Sequence, residues 1–321
     1  MRSRPARTKN TGPRAKRSKR VQEPHPVAIV VVTWNSSAEI DACLASAFAA
    51  QPAEVVVVDN GSKDDTLARV RHNYPLARVL PQPKNVGFAA GCNLGIGVTT
   101  APYLLMQNAD AVLAQDYLKL LVASLARHPE AASAVGKLVY EEGGKRYIDS
   151  AGITIRHYAL CPLDRGLGEE DRGQYDKPEE IFGPSAAAAL YRRSALEAVG
   201  PEIFEASLFA YYEDVDLAWR LNRAGFTHRY EPSAIAFHCR RGPAGKPKRI
   251  SEQAFVNRYR VFAKNESAHT MLLVGPLAVA WETARILRRG GAALRLLRVT
   301  RTALREVAQI LRGRVRGGLG L

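Results

Sequence analysis

Two uninterrupted runs of mostly β-branched residues constrain this chain most: Val27-Ala-Ile-Val-Val-Val-Thr33 and Glu54-Val-Val-Val-Val-Asp59. A strand with one wet face alternates apolar and polar residues. A run without alternation suits a strand covered on both faces, as in parallel sheets flanked by helices. The intervening segments fit that scheme. Ser36 and Glu39 have capping-box spacing, and Ile40, Cys43, Leu44, Ala47 and Phe48 share one helical face. Asn60-Gly61-Ser62 reads as a turn, and Asp64 and Asp65 open a helix carrying Leu67, Val70 and Arg71. Arg78-Val-Leu80 reads as a short strand, Gly87–Val98 as a small-residue helix or loop, and Tyr103–Met106 as a fourth strand. The order β-α-β-α-β-α-β predicts an α/β fold, a mostly parallel sheet with helices on both faces.

Such sheets bind ligands beyond the carboxyl ends of their strands. Those ends read Thr33-Trp34-Asn35, Asp59-Asn60-Gly61 and Gln107-Asn108-Ala109-Asp110. Loops are polar in any case, but acids after two core strands, with Asn and Gly beside them, are less common. The usual phosphate cradles are absent. Thr33-Trp-Asn-Ser-Ser-Ala38 stands where G-x-G-x-x-G belongs, and Gly95-Ile-Gly97 has no preceding strand and no third glycine. Neither a P-loop nor a G-x-S-x-G elbow occurs. A nucleotide bound without a glycine cradle needs a cation on its phosphates, and Asp110 is the obvious ligand.

Tyr211-Tyr-Glu-Asp-Val-Asp-Leu-Ala-Trp-Arg220 holds three carboxylates in four positions. Leu217, Leu221 and Ala224 follow at helical spacing, so the acids open a helix and face the positive end of its dipole. An acidic N-terminus on a surface helix explains that pattern. So does a carboxylate that takes a proton from a substrate hydroxyl in a partly enclosed place.

The net charge of +15 over 321 residues is uneven. Residues 1–20 carry nine Lys/Arg and no acid, and residues 240–321 carry eighteen against four, which leaves −8 for residues 21–239. Basic ends seek polyanions. The first 20 residues lack apolar periodicity and lack the apolar core of a signal peptide, and read as a solvated tail. The four cysteines, Cys43, Cys92, Cys161 and Cys239, are widely spaced and suggest neither zinc nor disulfides, as in a reducing cytosol. The longest apolar run, Met271–Trp281, is about half the 20 residues a crossing helix needs, and Gly275-Pro276 interrupts it. From Ser251 onward the pattern is helical, and Arg285, Arg288, Arg289, Arg295, Arg298, Arg301, Arg305 and Arg312 interleave with leucines. A basic amphipathic helix with one Trp reads as an interfacial membrane segment; packing on the preceding domain or a dimer contact are the alternatives.

Seven segments in order carry a resemblance. They are Val30–Ser36, Val55–Thr66, Asn85–Asn93, Leu104–Asp110, Gly183–Arg193, Phe209–Arg220 and Phe237-His238. Together they resemble the family 2 glycosyltransferases with the GT-A (Rossmann-like) fold, particularly the bacterial rhamnosyltransferase-like branch, over residues 27–240. The resemblance implies a transferase domain over residues 25–250, between a disordered basic tail (1–24) and a basic amphipathic helical tail on the membrane (251–321). It implies that Asp59 bonds the base or ribose, with Thr33, Asn35 and Asn60 nearby. Asn85, Gly87 and Asn93 would lie on a loop approaching the sugar-phosphate, beside Asn108. Asp110 would bind Mg2+ or Mn2+ on the diphosphate, and His238 would be a second ligand. Asp214, beside Glu213, would be the general base in a single inverting displacement, with Trp219 and Arg220 packing nearby.

One departure matters. Asn108 stands at the first acidic position of the family's D-x-D motif, and Ala109 at its middle, so one carboxylate remains. An imidazole at a strand end can also be held simply by a backbone carbonyl, which leaves a structural role for His238 open. The small-residue tract Gly183–Leu190 would floor the cleft between donor and acceptor, or simply pack tightly against backbone. Residues 141–182 read as a loop-rich insertion. The expected donor is a nucleotide-diphosphate sugar, dTDP-rhamnose first. The expected acceptor is a glycan or lipid-linked hydroxyl, at the inner face of the plasma membrane. A basic nucleic-acid-binding protein is the alternative, disfavoured by the −8 core and the lack of a nucleic-acid motif. An inactive glycosyltransferase-like scaffold is another, motivated by Asn108.

Overall fold

In the computed structural model, residues 24–157, 160–238, 248–287 and 293–316 are described. The basic segment 1–23, Cys239 and residues 240–247 lie outside them. Strands β1 (His25–Thr33), β2 (Pro52–Asp59), β3 (Arg78–Pro81) and β4 (Tyr103–Asn108) are parallel, in the order β4-β1-β2-β3. Beyond β4 the sheet becomes mixed. β11 (Ala188–Arg192) runs antiparallel to β4 and to β6 (Ala131–Glu142), and β12 (Thr227–His238) runs parallel to β6. The short strands β5 (Ala111–Leu113) and β10 (Glu179–Glu180) pair with β12, and β7 (Lys145–Ser150) pairs with β6.

Both faces of β1 are covered, as its unbroken apolar run requires. Val27, Ile29 and Val31 pack with α1 (Ile40–Ala49) and α4 (Tyr117–Arg127). Ala28, Val30 and Val32 pack with α3 (Phe88–Gly97), α5 (Arg193–Ala198) and α6 (Glu213–Arg223). The ambiguous Gly87–Val98 stretch is therefore helical. Its glycines serve the packing: a Cβ on Gly91 would sit 2.7 Å from Val32, and one on Gly95 2.3 Å from Val30.

Three expectations change. The capping box does not form; helix α1 starts at Ile40 with no side-chain cap, and the Ser36 carbonyl accepts from Glu39 and Ile40 N–H. Ser36 N–H is instead held by Thr66 Oγ1, at the start of α2 (Thr66–Asn73), so a tertiary contact replaces the local one. Residues 141–182 are rich in loops, as expected, but also carry four short strands. They build β7, the hairpin β8 (Ile153–Arg156) with β9 (Cys161–Asp164), and β10. Buried Lys137 pins the following loop through Asp171, 3.0 Å away, and Asp176. Gly275-Pro276 does not break its helix either. Pro276 lies exposed within α8 (Ala268–Leu287), at the cost of one helical hydrogen bond.

Two further helices complete the C-terminal part, α7 (Lys248–Asn265) and α9 (Ala293–Arg316). Trp219 of α6 is the hub between them and the sheet. Its ring meets Phe182 and Phe262 edge-on at 5.3 and 5.1 Å. Val299, Ala303 and Val307 of α9 turn inward, so the apolar face of that basic helix is spent on protein. The exposed apolar ridge lies on α8 instead, as Leu273, Leu277 and Trp281. No helix among the described residues is long and apolar enough to cross a membrane.

Candidate active site

The ends of β1 and β2 present polar atoms with nothing to bond. Thr33, Asp59 and Asn60 are buried, and Thr33 Oγ1, Asp59 Oδ1 and Asn60 Oδ1 have no partner among the described residues. Three orphaned acceptors or donors in adjacent turns are costly unless a ligand completes them. Their other atoms fix the turn: Asp59 Oδ2 accepts from Ser62 N–H (3.2 Å), and Asn60 Nδ2 donates to the Gly87 carbonyl (3.1 Å). Asn35, at φ +51°, donates its N–H to Ser62 Oγ and accepts from Lys63 N–H at 2.7 Å.

The glycine-containing loop is bound to the protein more than it is open to a ligand. Asn85 Oδ1 accepts from Gly87 N–H at 2.9 Å. Gly87 has φ +93°, and a Cβ there would lie 2.5 Å from the Phe209 carbonyl. The close approach it permits is therefore to the turn carrying the acid cluster. Asn93, expected near the sugar-phosphate, spends its amide on Phe204: Nδ2 donates to the carbonyl (2.7 Å) and Oδ1 accepts the N–H (2.9 Å). It clamps α3 to the segment ahead of α6.

At the end of β4, residues far apart in sequence converge. His238, the last residue of β12, sits between two carboxylates: Nε2 is 3.1 Å from Asp110 Oδ1, and Nδ1 is 2.9 Å from Asp149 Oδ2. Asn108 Nδ2 lies 3.3 Å from the same Nε2. Burial alone would lower the imidazole pKa, but the hydrogen bonds and charges of Asp110 and Asp149 outweigh it and lift it to about 9. The alternative of a backbone-held imidazole is not what forms. Asp149, fully buried on β7, was hidden in the stretch taken for loop; its neighbour Ile148 on the same strand is the apolar signal that could have marked it.

This donor set fits a divalent cation. A separation of 3.1 Å is about that of two neighbouring ligands at right angles with bonds near 2.1–2.2 Å. The carboxylate behind Nδ1 is the arrangement that orients a metal-ligating histidine. No group of three or more His, Cys, Asp or Glu suited to a metal occurs among the described residues, so a cation here would take Asp110 and His238 and need further oxygens, such as those of a substrate.

The three acids of the cluster separate. Asp216 is fully buried and faces α7, ion-paired with Arg220 (2.8 Å) and Lys264 (3.1 Å). It holds structure. Glu213 and half-buried Asp214 remain as a pair of like charge. Burial raises both carboxyls; the charge of Asp214 raises Glu213 further, to about 8, while backbone N–H groups oppose the rise at Asp214, to which Asp164 adds. Asp214 has backbone donors on both oxygens, Ala186 N–H at 3.1 Å and Val215 N–H at 2.8 Å. Glu213 Oε2 has no partner among the described residues. With both its oxygens held by backbone donors, Asp214 is the more readily ionised of the two. The small-residue tract links the two halves: the Ala187 carbonyl accepts from Asn108 N–H (2.9 Å) while Ala186 N–H reaches Asp214. The thiols of Cys43 and Cys92 are buried and pushed above their ordinary range, so neither serves as a nucleophile.

Known proteins resemble this chain in sequence and in fold. The profile of glycosyl transferase family 2 matches residues 28–200. An N-acetylglucosaminyl-diphospho-decaprenol L-rhamnosyltransferase of Mycobacterium tuberculosis is 29% identical over 242 residues, 68% of this chain and 77% of that one. A pre-mycofactocin glycosyltransferase of the same organism is 30% identical over 57% of this chain and 37% of its own length. Among solved structures, GalNAc-T7 with UDP, GalNAc and Mn2+ superposes with a TM-score of 0.60 at 16% identity. That alignment covers 74% of this chain and about half (48%) of the other. The Pyrobaculum calidifontis mannosyltransferase PcManGT with GDP-Man and Mn2+ gives 0.51 at 19% identity, covering 92% and 76%. The shared fold is that of GT-A glycosyltransferases.

Proposed function

The chain belongs to glycosyl transferase family 2, and from that premise we propose an inverting, cation-assisted transfer of one sugar from a nucleotide-diphosphate donor to an acceptor hydroxyl. In this reading Thr33, Asn35, Asp59 and Asn60 receive the nucleotide, whose polar edges complete their orphaned atoms. Asn85, Gly87 and Asn93 shape the wall beside it rather than bond it. Asp110 and His238, with Asn108 adjacent, hold Mg2+ or Mn2+, which when bound offsets the charge that develops on the diphosphate. Asp214 takes the proton as the acceptor oxygen bonds to the anomeric carbon. The bond from that carbon to the diphosphate oxygen breaks, and the nucleotide diphosphate leaves with the electron pair. Glu213 keeps its proton and denies Asp214 a second negative neighbour.

The observation that carries the reading is the Asp110–His238 pair, 3.1 Å apart at the end of a parallel strand and backed by Asp149. The rhamnosyltransferase relative supports dTDP-rhamnose as the first donor to try. Its named acceptor supports a sugar on a diphosphate with an apolar chain. Thermal unfolding with dTDP, UDP, GDP and CDP, each with and without Mn2+, tests this. One base should stabilise the protein, and more so with metal. No stabilisation by any of them would sink the nucleotide-sugar reading.

An apolar acceptor chain favours a protein resting on an anionic membrane, here the inner face of the plasma membrane. Support comes from the α8 ridge Leu273, Leu277 and Trp281, together with exposed Arg298, Arg301, Arg305 and Arg312 on α9. Residues 251 onward would then be the membrane-associated part and residues 25–250 the transfer domain. Replacing the three ridge residues by Ala should weaken binding to vesicles containing anionic lipid at least about tenfold and leave the folded protein intact. Undiminished sedimentation with vesicles would move the contact off α8.

A further inference from the structure

We propose that Asn257 of α7 is a positioning residue for Asp214, acting through the turn that leads into α6; this rests on the reading of Asp214 as proton acceptor. The turn is conformationally costly. Phe209, Tyr211 and Tyr212 have φ of +63°, +72° and +71°, and none is glycine. L-residues stay in the left-handed region only where their surroundings over-determine it. Tyr212 is the residue before Glu213 and caps α6, so the turn sets where Glu213 and Asp214 stand.

The surroundings that hold the turn are visible carbonyl by carbonyl. Asn257 is fully buried, and its Nδ2 lies 2.7 Å from the Leu208 carbonyl, 3.0 Å from that of Ala210 and 3.0 Å from that of Tyr211. The Phe209 carbonyl accepts from Ala89 N–H of α3 at 3.2 Å, and the Tyr212 carbonyl from Asp216 N–H at 2.9 Å. Five successive carbonyls are thus accounted for, and one side chain serves three. Gln253 Nε2 donates to Asn257 Oδ1 at 3.0 Å, which fixes the amide with its N–H groups toward the turn. Nearby Tyr259, Val261 and Phe262 are buried apolar neighbours on the same helix. A leucine would fill the site but donate nothing. Helix α7 thereby supports the transfer site, whatever role α8 and α9 have at a membrane.

The test compares full-length wild type with Asn257→Leu, Asn257→Ser and Asp214→Asn. Donor turnover, dTDP affinity with Mn2+ and hydrogen exchange are measured in each. Asn257→Leu should lower turnover by roughly 30–100-fold, the scale of a misplacement near 1 Å. It should leave dTDP affinity within about twofold and speed exchange in residues 205–216 but not in β1. Asn257→Ser, which keeps one short donor, should fall between, and it gives the same split if the leucine variant does not fold. Turnover within about threefold of wild type in both variants would overturn the proposal. So would parallel loss of turnover and dTDP affinity, which marks general unfolding. Undiminished turnover in Asp214→Asn would instead remove the catalytic reading beneath it.

Discussion

The two acidic centres of this glycosyltransferase solve opposite electrostatic problems. At the end of β4, Asp110 and Asp149 bracket His238, and their hydrogen bonds and charges raise the imidazole pKa, so a positive charge, on the ring or on a cation in place of its Nε2 proton, is favoured between the acids. At the start of α6, no cation among the described residues bonds Glu213 or Asp214; the Asp214 carboxylate accepts from the backbone N–H groups of Ala186 and Val215. The first site is complete when a positive charge sits between acids. The second favours the protonated form of its acids, because burial raises both carboxyls. The difference separates a place suited to a cation from a place suited to receiving a proton, and both readings are open to mutation.

Asp214→Asn should have the largest effect. The amide keeps the shape but cannot take a proton, so transfer should fall about 10²–10⁴-fold, with nucleotide binding within about twofold. Steady-state turnover beside calorimetric dTDP binding checks it. Activity near that of wild type would end the contrast, because the acid pair would then be structural. Asp149→Asn should have a smaller effect of a different kind. The His238 ring loses its charged anchor, and the Mn2+ concentration for half-maximal activity should rise about 10–100-fold. In Asp214→Asn that midpoint should not move. An equal shift in both variants would mean the two centres act as one.

How far the sequence foretold this molecule differs between the same two regions. The parallel half was legible because Val27–Thr33 and Glu54–Asp59 are β-branched runs that suit strands covered on both faces, although their register is set only by the assembled sheet. The positions of Asp59 and Asp110 at strand ends and of Asp214 at a helix start were readable from the pattern. What the sequence could not reveal was which acids face one another. Asp216 sits two residues from Asp214 yet pairs with Arg220 of its own helix and with Lys264 of α7, 48 residues later in the chain. Asp149 is 89 residues from the His238 it supports. Asn93 has the composition of a ligand-binding residue and the geometry of a clamp, because only the fold brings Phe204 beside it. Apolar periodicity in α9 was real, but it could not say whether lipid or α7 covers that face.

The smallest expected effect sharpens the comparison most, because it is read from stability rather than catalysis. Burial and mutual repulsion raise the Glu213 carboxyl above its unfolded value, so between the ordinary carboxylate range and its raised value the folded chain binds more protons than the unfolded one. Stability contributed at this position is therefore greatest at acid pH and is lost as pH rises through that window. Glu213→Gln has no proton to lose. Relative to wild type it should gain about 1–3 kcal/mol on passing from pH 5 to pH 8.5, since each pKa unit corresponds to 1.36 kcal/mol. Urea unfolding at the two pH values measures the change. A difference between variant and wild type that is the same at both would show that Glu213 ionises without penalty. The acid pair would then be as well compensated as the histidine site, and the contrast between the two centres would fail.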